Sequence, residues 1–520
     1  MKLSLEVPLN RVEGDLEIRV EVEDGVVVDA WSTAPQFRGL ESVLRGRGAK
    51  DGLVIGPRIC GLCSSAHLFT AAAALDEIAK VPVAPHGLRA RNVALMAENI
   101  QNDLRHGFLM YLVDFTSPAH ARRSLYEEAV RRHRPFAGES WLATLRTSKL
   151  LPEVIAILGG QWPHSSFMVP GGVASLPSPT DLARARQIVT LTRRFYEGRV
   201  LGCSIERWRS LRSAAELDAW LDERPEHRDS EVGFFIRFSR DAGLDRMGRG
   251  TSRYLSFGAH EVPEGSTVRA TDGDHLVPAG LAIDGEVRAL DAGRIAEHVA
   301  SSWYVDYAAE PEGRSPRDGG RHPLEGETRP YASGREGKKY SWVKAPRYDG
   351  EPAEVGPLAQ AMVARDPLFV DLVRRDGASA MVRELARLVR GTTLLSAMDA
   401  WLAEIATQPG RSCTPDVVVG DGIGSGLAEA ARGALGHWVV VENERIVRYQ
   451  VITPTAWNGS PRCSAGRRGP WEEALVGTPI EDPEDPVAIG HVVRSFDPCQ
   501  SCTVHAVDAR TGEPQRRFRV

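Results

Sequence analysis

The sequence predicts a mainly α-helical protein that also carries small β-sheets, which is an α+β fold class. Two patterns predict it. Apolar residues recur at helical spacing from Ser64 onward, most clearly over residues 86–114 and in several later stretches. Apolar and polar residues instead alternate over residues 3–31 and again near the C-terminus, as in strands that bury one face.

The elements follow in chain order. Residues 3–31 predict a small sheet, in which Asp24 and Gly25 fit a tight hairpin turn. Helical spacing predicts further helices near residues 118–133, 140–158, 181–198 and 366–406. Residues 308–339 are rich in Gly, Pro, Arg and Glu and predict a long irregular surface loop or a linker. The stretch HWVVVENERIVRYQVI predicts a second hairpin near the C-terminus.

The composition is that of a globular protein and gives no sign of nucleic-acid binding. The 520 residues carry a formal charge of −5, with 42% hydrophobic and 26% charged residues. The sequence has no apolar run long enough to predict a membrane span, and MKLSLEVPLN does not resemble a signal peptide. Seven cysteines, an odd number, do not suit a disulfide framework, so a reduced protein is expected, with Cys203 and Cys413 as buried apolar side chains.

Four of the cysteines form two Cys-x-x-Cys pairs that lie far apart in the sequence, in RICGLCSSAH (58–67) and DPCQSCTVH (497–505). Two such turns brought together by folding make a four-sulfur metal site. The spacing alone is compatible with structural zinc, an iron–sulfur cluster or a rarer metal. A structural zinc site needs no Arg, Asp or His at fixed offsets, so Arg58, Asp497 and the histidines that follow each pair favour a reactive site.

These two cysteine motifs resemble the two signatures of the [NiFe]-hydrogenase large subunit. Further matching stretches run along essentially the whole chain: RVEG (11–14), FRGLE (37–41), PHSSFMVPGGV (163–173), YSWVKAPRYDG (340–350), EVGPL (354–358), ARGALGHW (431–438), TPTAWN (453–458), GTPIEDP (477–483) and RSFDPC (494–499). The resemblance implies the helical core of that family, with peripheral N- and C-terminal hairpins. It also implies catalysis of H2 ⇌ 2 H⁺ + 2 e⁻, with uptake as the expected direction.

The resemblance implies a ligand set for each metal. Cys60 and Cys499 would be terminal nickel ligands, and Cys63 and Cys502 would bridge nickel to an iron that carries carbon monoxide and two cyanides. Soft thiolates suit both metals. A magnesium ion beside this centre would be bound by the residues that match the family's magnesium ligands, Glu41 and His505.

The resemblance also implies roles in proton and hydrogen chemistry. Heterolytic cleavage of H2 needs a base and fixed charges that favour separated ions. Arg432 and Asp497 match the residues above the open metal site, where they would polarise H2 or assist as base. Cys499 would take the proton and Glu13 would pass it outward. Two further matches would bind the cofactor: His67 by orienting bridging sulfurs, and Thr455 by hydrogen bonding to a cyanide.

The expected partner is an iron–sulfur small subunit, because the cysteines left over cannot supply a chain of clusters. His164 matches a residue at that interface. Residues 1–505 are predicted as one multi-lobed catalytic unit, and residues 506–520 as a maturation peptide. A dedicated endopeptidase would remove it at the His505–Ala506 bond, after nickel insertion with the help of chaperones. The chain is expected to be cytoplasmic as synthesised, then membrane-associated or exported if the small subunit carries a twin-arginine signal.

Three alternative functions would differ from this one in identifiable features. A regulatory, hydrogen-sensing hydrogenase generally ends close to the final histidine, whereas this chain continues to Val520. The complex I subunit of the same fold lacks the cysteine pairs. A plain zinc protein would differ in its metal content.

Four positions depart from the family pattern. Asp15 stands where the family has a histidine, and Ala431 where it has a proline. Asn102 stands at a position that often carries a carboxylate, with Asp103 next to it. Cys463 is a thiol to which the resemblance assigns no role. None of these positions is an expected metal ligand.

Overall fold

The computed structural model describes residues 2–271, 273–304, 313–317 and 338–499. Most of the predicted loop at 308–339 therefore lies outside the described residues, as do Cys502, His505 and the tail at 506–520. The helices are α1 (Leu40–Leu44), α2 (Gly52–Ile55), α3 (Ser64–Ala79), α4 (Pro85–Leu104), α5 (Tyr126–His133), α6 (Glu139–Ser148), α7 (Leu151–Gly159), α8 (Pro179–Phe195), α9 (Ile205–Arg209), α10 (Ala214–Glu223), α11 (Pro225–Asp229), α12 (Glu231–Asp241), α13 (Pro357–Val363), α14 (Pro367–Asp376), α15 (Ala380–Val389), α16 (Gly391–Thr407), α17 (Pro454–Asn458), α18 (Pro470–Leu475) and α19 (Val487–Arg494).

The strands form small antiparallel sheets. They are β1 (Lys2–Leu9), β2 (Leu16–Glu23), β3 (Val26–Thr33), β4 (Met168–Val169), β5 (Gly172–Val173), β6 (Arg253–Glu261), β7 (His275–Ile283), β8 (Glu286–Arg288), β9 (Ile295–His298), β10 (Ala345–Tyr348), β11 (Gly422–Ala430), β12 (Gly433–Glu442) and β13 (Arg445–Ile452). The helix-rich architecture with small sheets confirms the predicted fold class.

The N-terminal sheet has the order β1-β2-β3 and follows the predicted alternation. Along β2, buried and less buried residues alternate at every position. Asp24 and Gly25 both have positive φ, 50° and 79°, in the turn between β2 and β3. Such a turn matches the right-handed twist of the flanking strands. Val27, Leu475 and Val492 belong to the apolar cluster that joins this sheet to α18 and α19.

The C-terminal hairpin is also present, but it differs from the prediction in two ways. It is the outer part of a three-stranded sheet, β11-β12-β13, and β12 is buried along nine of its ten residues. α3 packs across β11. This approach needs glycine, because a Cβ on Gly426 would lie 1.9 Å from the carbonyl oxygen of Thr70 and one on Gly424 would lie 2.2 Å from that of Ala74. The sheet is therefore part of the core and is not peripheral.

α4 is the central helix, and all but its first residue is buried. It packs against α3, α7 and α16. The predicted helix at 86–114 does not stay regular, because it continues as a π-helix over Arg105–Tyr111 and a 3-10 helix over Leu112–Thr116. Short π-helical segments often occur at functional sites.

The other long predicted helices are interrupted at identifiable residues. The stretch 366–406 forms α14, α15 and α16; α14 ends at Gly377, which has φ 72°. The stretch 140–158 is divided between α6 and α7, and Pro152 lies in the first turn of α7. Only Tyr126–His133 of the stretch 118–133 is α-helical. In the part of the chain that the structure describes, no helix is both long and apolar enough to cross a membrane.

Candidate metal centre

The structure brings the two cysteine motifs together. Cys60 and Cys63 lie between a 3-10 turn at Gly56–Arg58 and the start of α3. The sulfurs of Cys60 and Cys499 are 3.6 Å apart. This distance is far longer than a disulfide bond and suits two ligands of one metal. All three thiols are buried, with 3% exposure for the first pair and 0% for Cys499. Cys502, the predicted fourth thiol, lies outside the described residues.

The backbone around Cys499 is fixed from both sides. The Cys499 N–H donates to the hydroxyl of Thr455 at 3.1 Å, and this threonine lies buried in the first turn of α17. On the other side Glu13 forms a parallel bridge with Cys499, and its N–H donates to the carbonyl of Pro498 at 3.4 Å. The predicted residues Glu13 and Thr455 therefore both lie directly at the second cysteine motif.

The carboxylate of Glu13 is itself held by an arginine. Arg105 Nη2 donates to Glu13 Oε1 at 3.0 Å, and both side chains are only partly buried, at 22% and 24% exposure. Arg105 is the first residue of the π-helix that follows α4. Because Glu13 contacts Cys499 through its backbone and its side chain is partly exposed, Glu13 lies between the second cysteine motif and the protein exterior, and Arg105 orients its carboxylate.

Arg432 and Asp497 form a buried ion pair. Arg432 Nε donates to Asp497 Oδ1 at 3.0 Å. Asn102 Nδ2 donates to Asp497 Oδ2 at 2.6 Å. Burial alone would raise the pKa of Asp497, but the charges of Arg432 and His106 outweigh it and hold the pKa well below its usual range. Asp497 is therefore a fixed negative charge, and it has a φ of 57°, which few residues other than glycine adopt.

Sequence reasoning missed two further side chains that contact Asp497, His106 and Arg387, and a carboxylate, Glu384, that contacts both of them. His106 Nδ1 is 3.2 Å from Asp497 Oδ1, and His106 Nε2 is 3.5 Å from Glu384 Oε2. Arg387 Nε is 3.8 Å from Asp497 Oδ2, and Arg387 Nη1 donates to Glu384 at 2.6 Å. A lone His in an apolar helix and an Arg in a distant one have no spacing relation to the cysteine motifs. No signal in the sequence identifies them.

His67 lies one helical turn after Cys63, and its N–H donates to the Cys63 carbonyl at 3.1 Å. Its Nδ1 is 3.0 Å from His437 Nε2, and His437 Nδ1 is 2.8 Å from the Tyr449 hydroxyl. The Nε2 atom of His67 is buried without a hydrogen-bond partner. Burial lowers the pKa of His67 to about 4, so its imidazole is neutral at pH 7.

Glu98, another residue that sequence reasoning missed, holds the start of α3. Its carboxylate accepts hydrogen bonds from the N–H groups of Ser65 and Ala66, at 2.7 and 2.9 Å. Burial raises the pKa of Glu98 to about 8. The contact fixes the helix that begins directly after Cys63.

The predicted magnesium ligand Glu41 lies in a cluster of charged residues. Glu41 Oε1 accepts from the Val451 N–H at 3.0 Å, and Lys344 Nζ is 3.7 Å from Glu41 Oε2. Lys344 is also 3.4 Å from Glu297, which accepts from Gln450 at 2.7 Å. Burial, together with the charge of Glu41, raises the pKa of Glu297 to about 7 despite the nearby Lys344. His505, the other predicted ligand, lies outside the described residues.

His164 lies against the first cysteine motif. Its Nδ1 donates to the carbonyl of Pro57 at 3.0 Å, and its N–H donates to the hydroxyl of Ser64 at 3.3 Å. A Cβ on Gly61, inside the first Cys-x-x-Cys turn, would be 3.5 Å from the His164 ring. The ring is only partly buried, so this histidine lies between the cysteine turn and the outside.

The four departures from the family pattern have defined surroundings. Asp15 accepts a hydrogen bond from Gln36 at the surface. The carbonyl of Ala431 accepts from Arg390 Nη2 at 2.8 Å, and Arg390 also forms a two-point ion pair with Asp103. Asn102 donates to Asp497, as described above. Cys463 is buried at 3% exposure.

The residues present fit a thiolate-bound metal centre. The two motifs supply three buried thiols, and the sulfurs of Cys60 and Cys499 are in contact. His67, on the helix that follows Cys63, has a buried ring nitrogen without a protein partner, and soft thiolate donors suit nickel and iron. Within the described ranges, no three His, Cys, Asp or Glu side chains are arranged as a complete metal-binding group. Cys502 would supply the missing donor. Together, the fold and the site define a thiolate metalloenzyme built on a helical core.

Comparison with known proteins gives the family. The model of the nickel-dependent hydrogenase family matches residues 38–135 and 237–505. The periplasmic [NiFeSe] hydrogenase large subunit of Desulfomicrobium baculatum is 32% identical over 547 residues, covering 99% of this chain and 96% of that protein. The hydrogenase-2 large chain of Escherichia coli is 27% identical, covering 97% of each. The chain belongs to the nickel-dependent hydrogenase family.

Solved structures agree. The Ni-Fe-Se hydrogenase from D. vulgaris Hildenborough, in its reduced state, superposes with a TM-score of 0.77 at 28% identity, covering 97% of this chain and all of that one. The reduced, active form of the Ni-Fe-Se hydrogenase from Desulfomicrobium baculatum gives a TM-score of 0.78 at 29% identity. The predicted family and enzyme class are confirmed, and the chain is a hydrogenase large subunit with a nickel–iron centre. All four expected metal-ligand positions, 60, 63, 499 and 502, carry cysteine in this sequence, and none carries selenocysteine.

Proposed function

We propose that this large subunit cleaves H2 heterolytically at a nickel–iron centre bound by Cys60, Cys63, Cys499 and Cys502. The observation that carries the proposal is the 3.6 Å approach of the sulfurs of Cys60 and Cys499, which come from opposite ends of the chain. Asp497, two residues before Cys499, is buried there in an ion pair with Arg432. When bound, the nickel–iron centre supplies the two-electron acceptor for H2. The names of the relatives, uptake and periplasmic hydrogenases, favour a catalytic subunit over a hydrogen sensor.

The protein's own residues would supply the charges and the base. Asp497 accepts from Arg432 on one oxygen and from Asn102 on the other, so the guanidinium is held in one orientation. A fixed positive charge in a buried site favours separation of H2 into unlike ions at little cost in reorganisation. Cys499 would take the proton, and Glu13, bridged to Cys499 through the backbone, would pass it outward.

Three residues would support the cofactors. Thr455 would hydrogen bond to a cyanide on the iron; its oxygen accepts from the Cys499 N–H, which leaves its own O–H to donate. The unpartnered Nε2 of His67 would hydrogen bond to a metal-ligating sulfur. Glu41, with His505, would bind magnesium, and carboxylate oxygen is the donor that this ion prefers.

Electrons would leave through an iron–sulfur small subunit. His164, partly exposed over the first cysteine turn, supports an interface on that face of the protein. One relative is named periplasmic, and we propose that the partner subunit determines the final compartment of this chain too.

The test of the function is metal content together with turnover. The complex purified with its small subunit is expected to contain nickel and iron and to reduce an artificial electron acceptor under H2. A protein that contains zinc in place of nickel, with no hydrogen-dependent reduction, would exclude this function.

We expect Glu13→Gln to lower hydrogen oxidation by about a hundredfold, because the side chain keeps its shape but loses the group that titrates. Nickel content and the infrared bands of carbon monoxide and cyanide should persist. Glu6→Gln, on the exposed face of β1, is the matched control and should oxidise hydrogen at the unmodified rate. Normal turnover in Glu13→Gln would move the relay to another residue.

We expect the active protein to end at His505, with residues 506–520 removed by an endopeptidase. A tail that continues beyond the proposed magnesium ligand His505 would keep the second cysteine motif open until nickel has entered with the help of its chaperones. Intact mass spectrometry of active enzyme and of protein from nickel-starved cells measures this directly: the short form is expected in the first and the full-length form in the second. Fully active enzyme that retains the tail would contradict the maturation model.

A further inference from the structure

Several buried polar atoms without a hydrogen-bond partner lie on side chains that connect, neighbour to neighbour, from Asp497 to His491. They are Oε1 of Glu384, the Tyr111 hydroxyl and Nδ1 of His491. Both ring nitrogens of His106 also lack a well-aligned hydrogen bond, although each lies near a carboxylate oxygen. Buried polar atoms in native proteins are almost always paired, either with protein groups or with ordered water. Unpartnered buried atoms on neighbouring side chains are therefore groups to which ordered water can bind.

The inner end of this course is at the ion pair. The His106 ring lies between two carboxylates: Nδ1 is 3.2 Å from Asp497 and Nε2 is 3.5 Å from Glu384. All three side chains are at most 2% exposed. An imidazole with an oxygen at each nitrogen can take a proton on one side and release one on the other.

The outer part leads towards the surface. The Tyr111 ring lies between two histidines, with centroids 6.2 Å from His106 and 5.8 Å from His491. His491 Nε2 is 3.0 Å from His120 Nε2, and Arg123 Nε donates to His120 Nδ1 at 3.1 Å. The residues flanking His120, Ala119 and Ala121, are exposed.

We propose that His106, Glu384, Tyr111, His491 and His120 form a second proton-transfer route, from the Arg432–Asp497 pair to the surface near Arg123. This inference rests on the proposed hydrogenase function and adds to it a path that does not pass through Glu13. Both His106 and Tyr111 lie in the seven-residue π-helix Arg105–Tyr111.

Each step exchanges one proton for another and moves no electrons. As a hydronium ion beside the Arg432–Asp497 pair gives a proton to His106 Nδ1, the bond between His106 Nε2 and its proton breaks and that proton passes to Glu384. Asp497 keeps its negative charge throughout. Glu384 then releases it to water beside Tyr111, and water passes it to His491 and His120. Every group returns to its initial protonation state when the proton leaves the protein.

The test uses the whole enzyme with its small subunit, in a Glu13→Gln background where the first route is blocked. We expect the remaining hydrogen oxidation to fall by a further factor of about ten when His106→Gln is added, since an amide cannot relay a proton by titrating. The matched control is His133→Gln, because His133 is also fully buried, has two unpartnered nitrogens and is 3.5 Å from a buried carboxylate, that of Glu231. It should leave the remaining rate unchanged.

Two further measurements keep the outcome clear. If His106→Gln does not bind nickel, His120→Gln at the outer end replaces it, with a several-fold loss expected in the same background. Infrared difference spectra taken on addition of H2 should show a carboxyl change that disappears in Glu384→Gln. Equal rates in Glu13→Gln and in the double variant, or no turnover at all in Glu13→Gln, would overturn the second route. Hydrogen oxidation by the unmodified enzyme tests the proposed function separately.

Discussion

We expect Cys499→Ala to be purified without nickel and with no detectable hydrogen oxidation. Its sulfur lies 3.6 Å from that of Cys60, and it is the described thiol of the second motif. Its removal leaves at most three thiolates for the metal. The site then loses one metal–sulfur bond and one negative charge, and both contribute to its affinity for nickel. Elemental analysis and a hydrogen-dependent dye assay measure the two effects.

Cys463→Ala is the control for this result. Cys463 is a buried thiol like Cys499, at 3% exposure, but it belongs to neither cysteine pair. Its replacement should cost some packing energy and leave nickel and turnover intact. Nickel at the unmodified level in Cys499→Ala would show that the metal is bound elsewhere.

The cysteine motifs could be predicted because each is a local pattern with a defined chemistry. Their meeting is different: the sulfurs of Cys60 and Cys499 are 439 residues apart in sequence, and only the matched family pattern connects them. The same applies to Arg432 and Asp497. Nothing in the linear sequence indicates that Arg432 and Asp497, among all the charged residues, form a pair. The fold buries both side chains and places Arg432 Nε 3.0 Å from Asp497 Oδ1.

The surroundings of Asp497 could not be predicted, for a physical reason. His106 and Arg387 reach this carboxylate from α4's π-helical extension and from α15, and helical periodicity reports only which face of a helix is buried. It does not report which partner that face meets. α4 continues into a π-helix after Leu104, and the change in rotation accumulates along Arg105–Tyr111, so a regular helix would misplace the face of the later residues, such as Tyr111.

Asn102 shows how a departure from the family pattern becomes interpretable in the structure. From the sequence, its only meaning is the loss of a charge. In the structure its amide nitrogen donates to Asp497 Oδ2 at 2.6 Å, a contact that a second carboxylate could make only if protonated. Asp103, the neighbouring acid, instead pairs with Arg390. Asn102 therefore keeps the Asp497 carboxylate in place without adding a like charge.

We expect Arg432→Lys to retain nickel but to lose hydrogen oxidation by a factor of about a hundred to a thousand, the range found when one fixed polar group is removed from a preorganised site. The guanidinium of Arg432 donates through Nε to Asp497, so its remaining N–H groups are held in a plane whose direction the carboxylate sets. A lysine ammonium is a point charge on a flexible stem and cannot reproduce that plane. Because no cysteine changes, the metal site should still assemble.

The control for this prediction is Arg89→Lys. Arg89 is equally buried, and its Nε donates to Glu404 at 2.7 Å in an ion pair between α4 and α16 that includes neither cysteine motif. Its replacement should lower stability, which thermal unfolding measures, while hydrogen oxidation per nickel stays unchanged. Turnover per bound nickel in the two variants distinguishes two effects. One is the loss of activity that follows from changing any buried arginine, and the other is the loss that follows from changing the arginine that pairs with Asp497. Full turnover per nickel in Arg432→Lys would show that the planar guanidinium has no part in hydrogen cleavage, and the base and the fixed charge would then have to come from Cys499 and the metals.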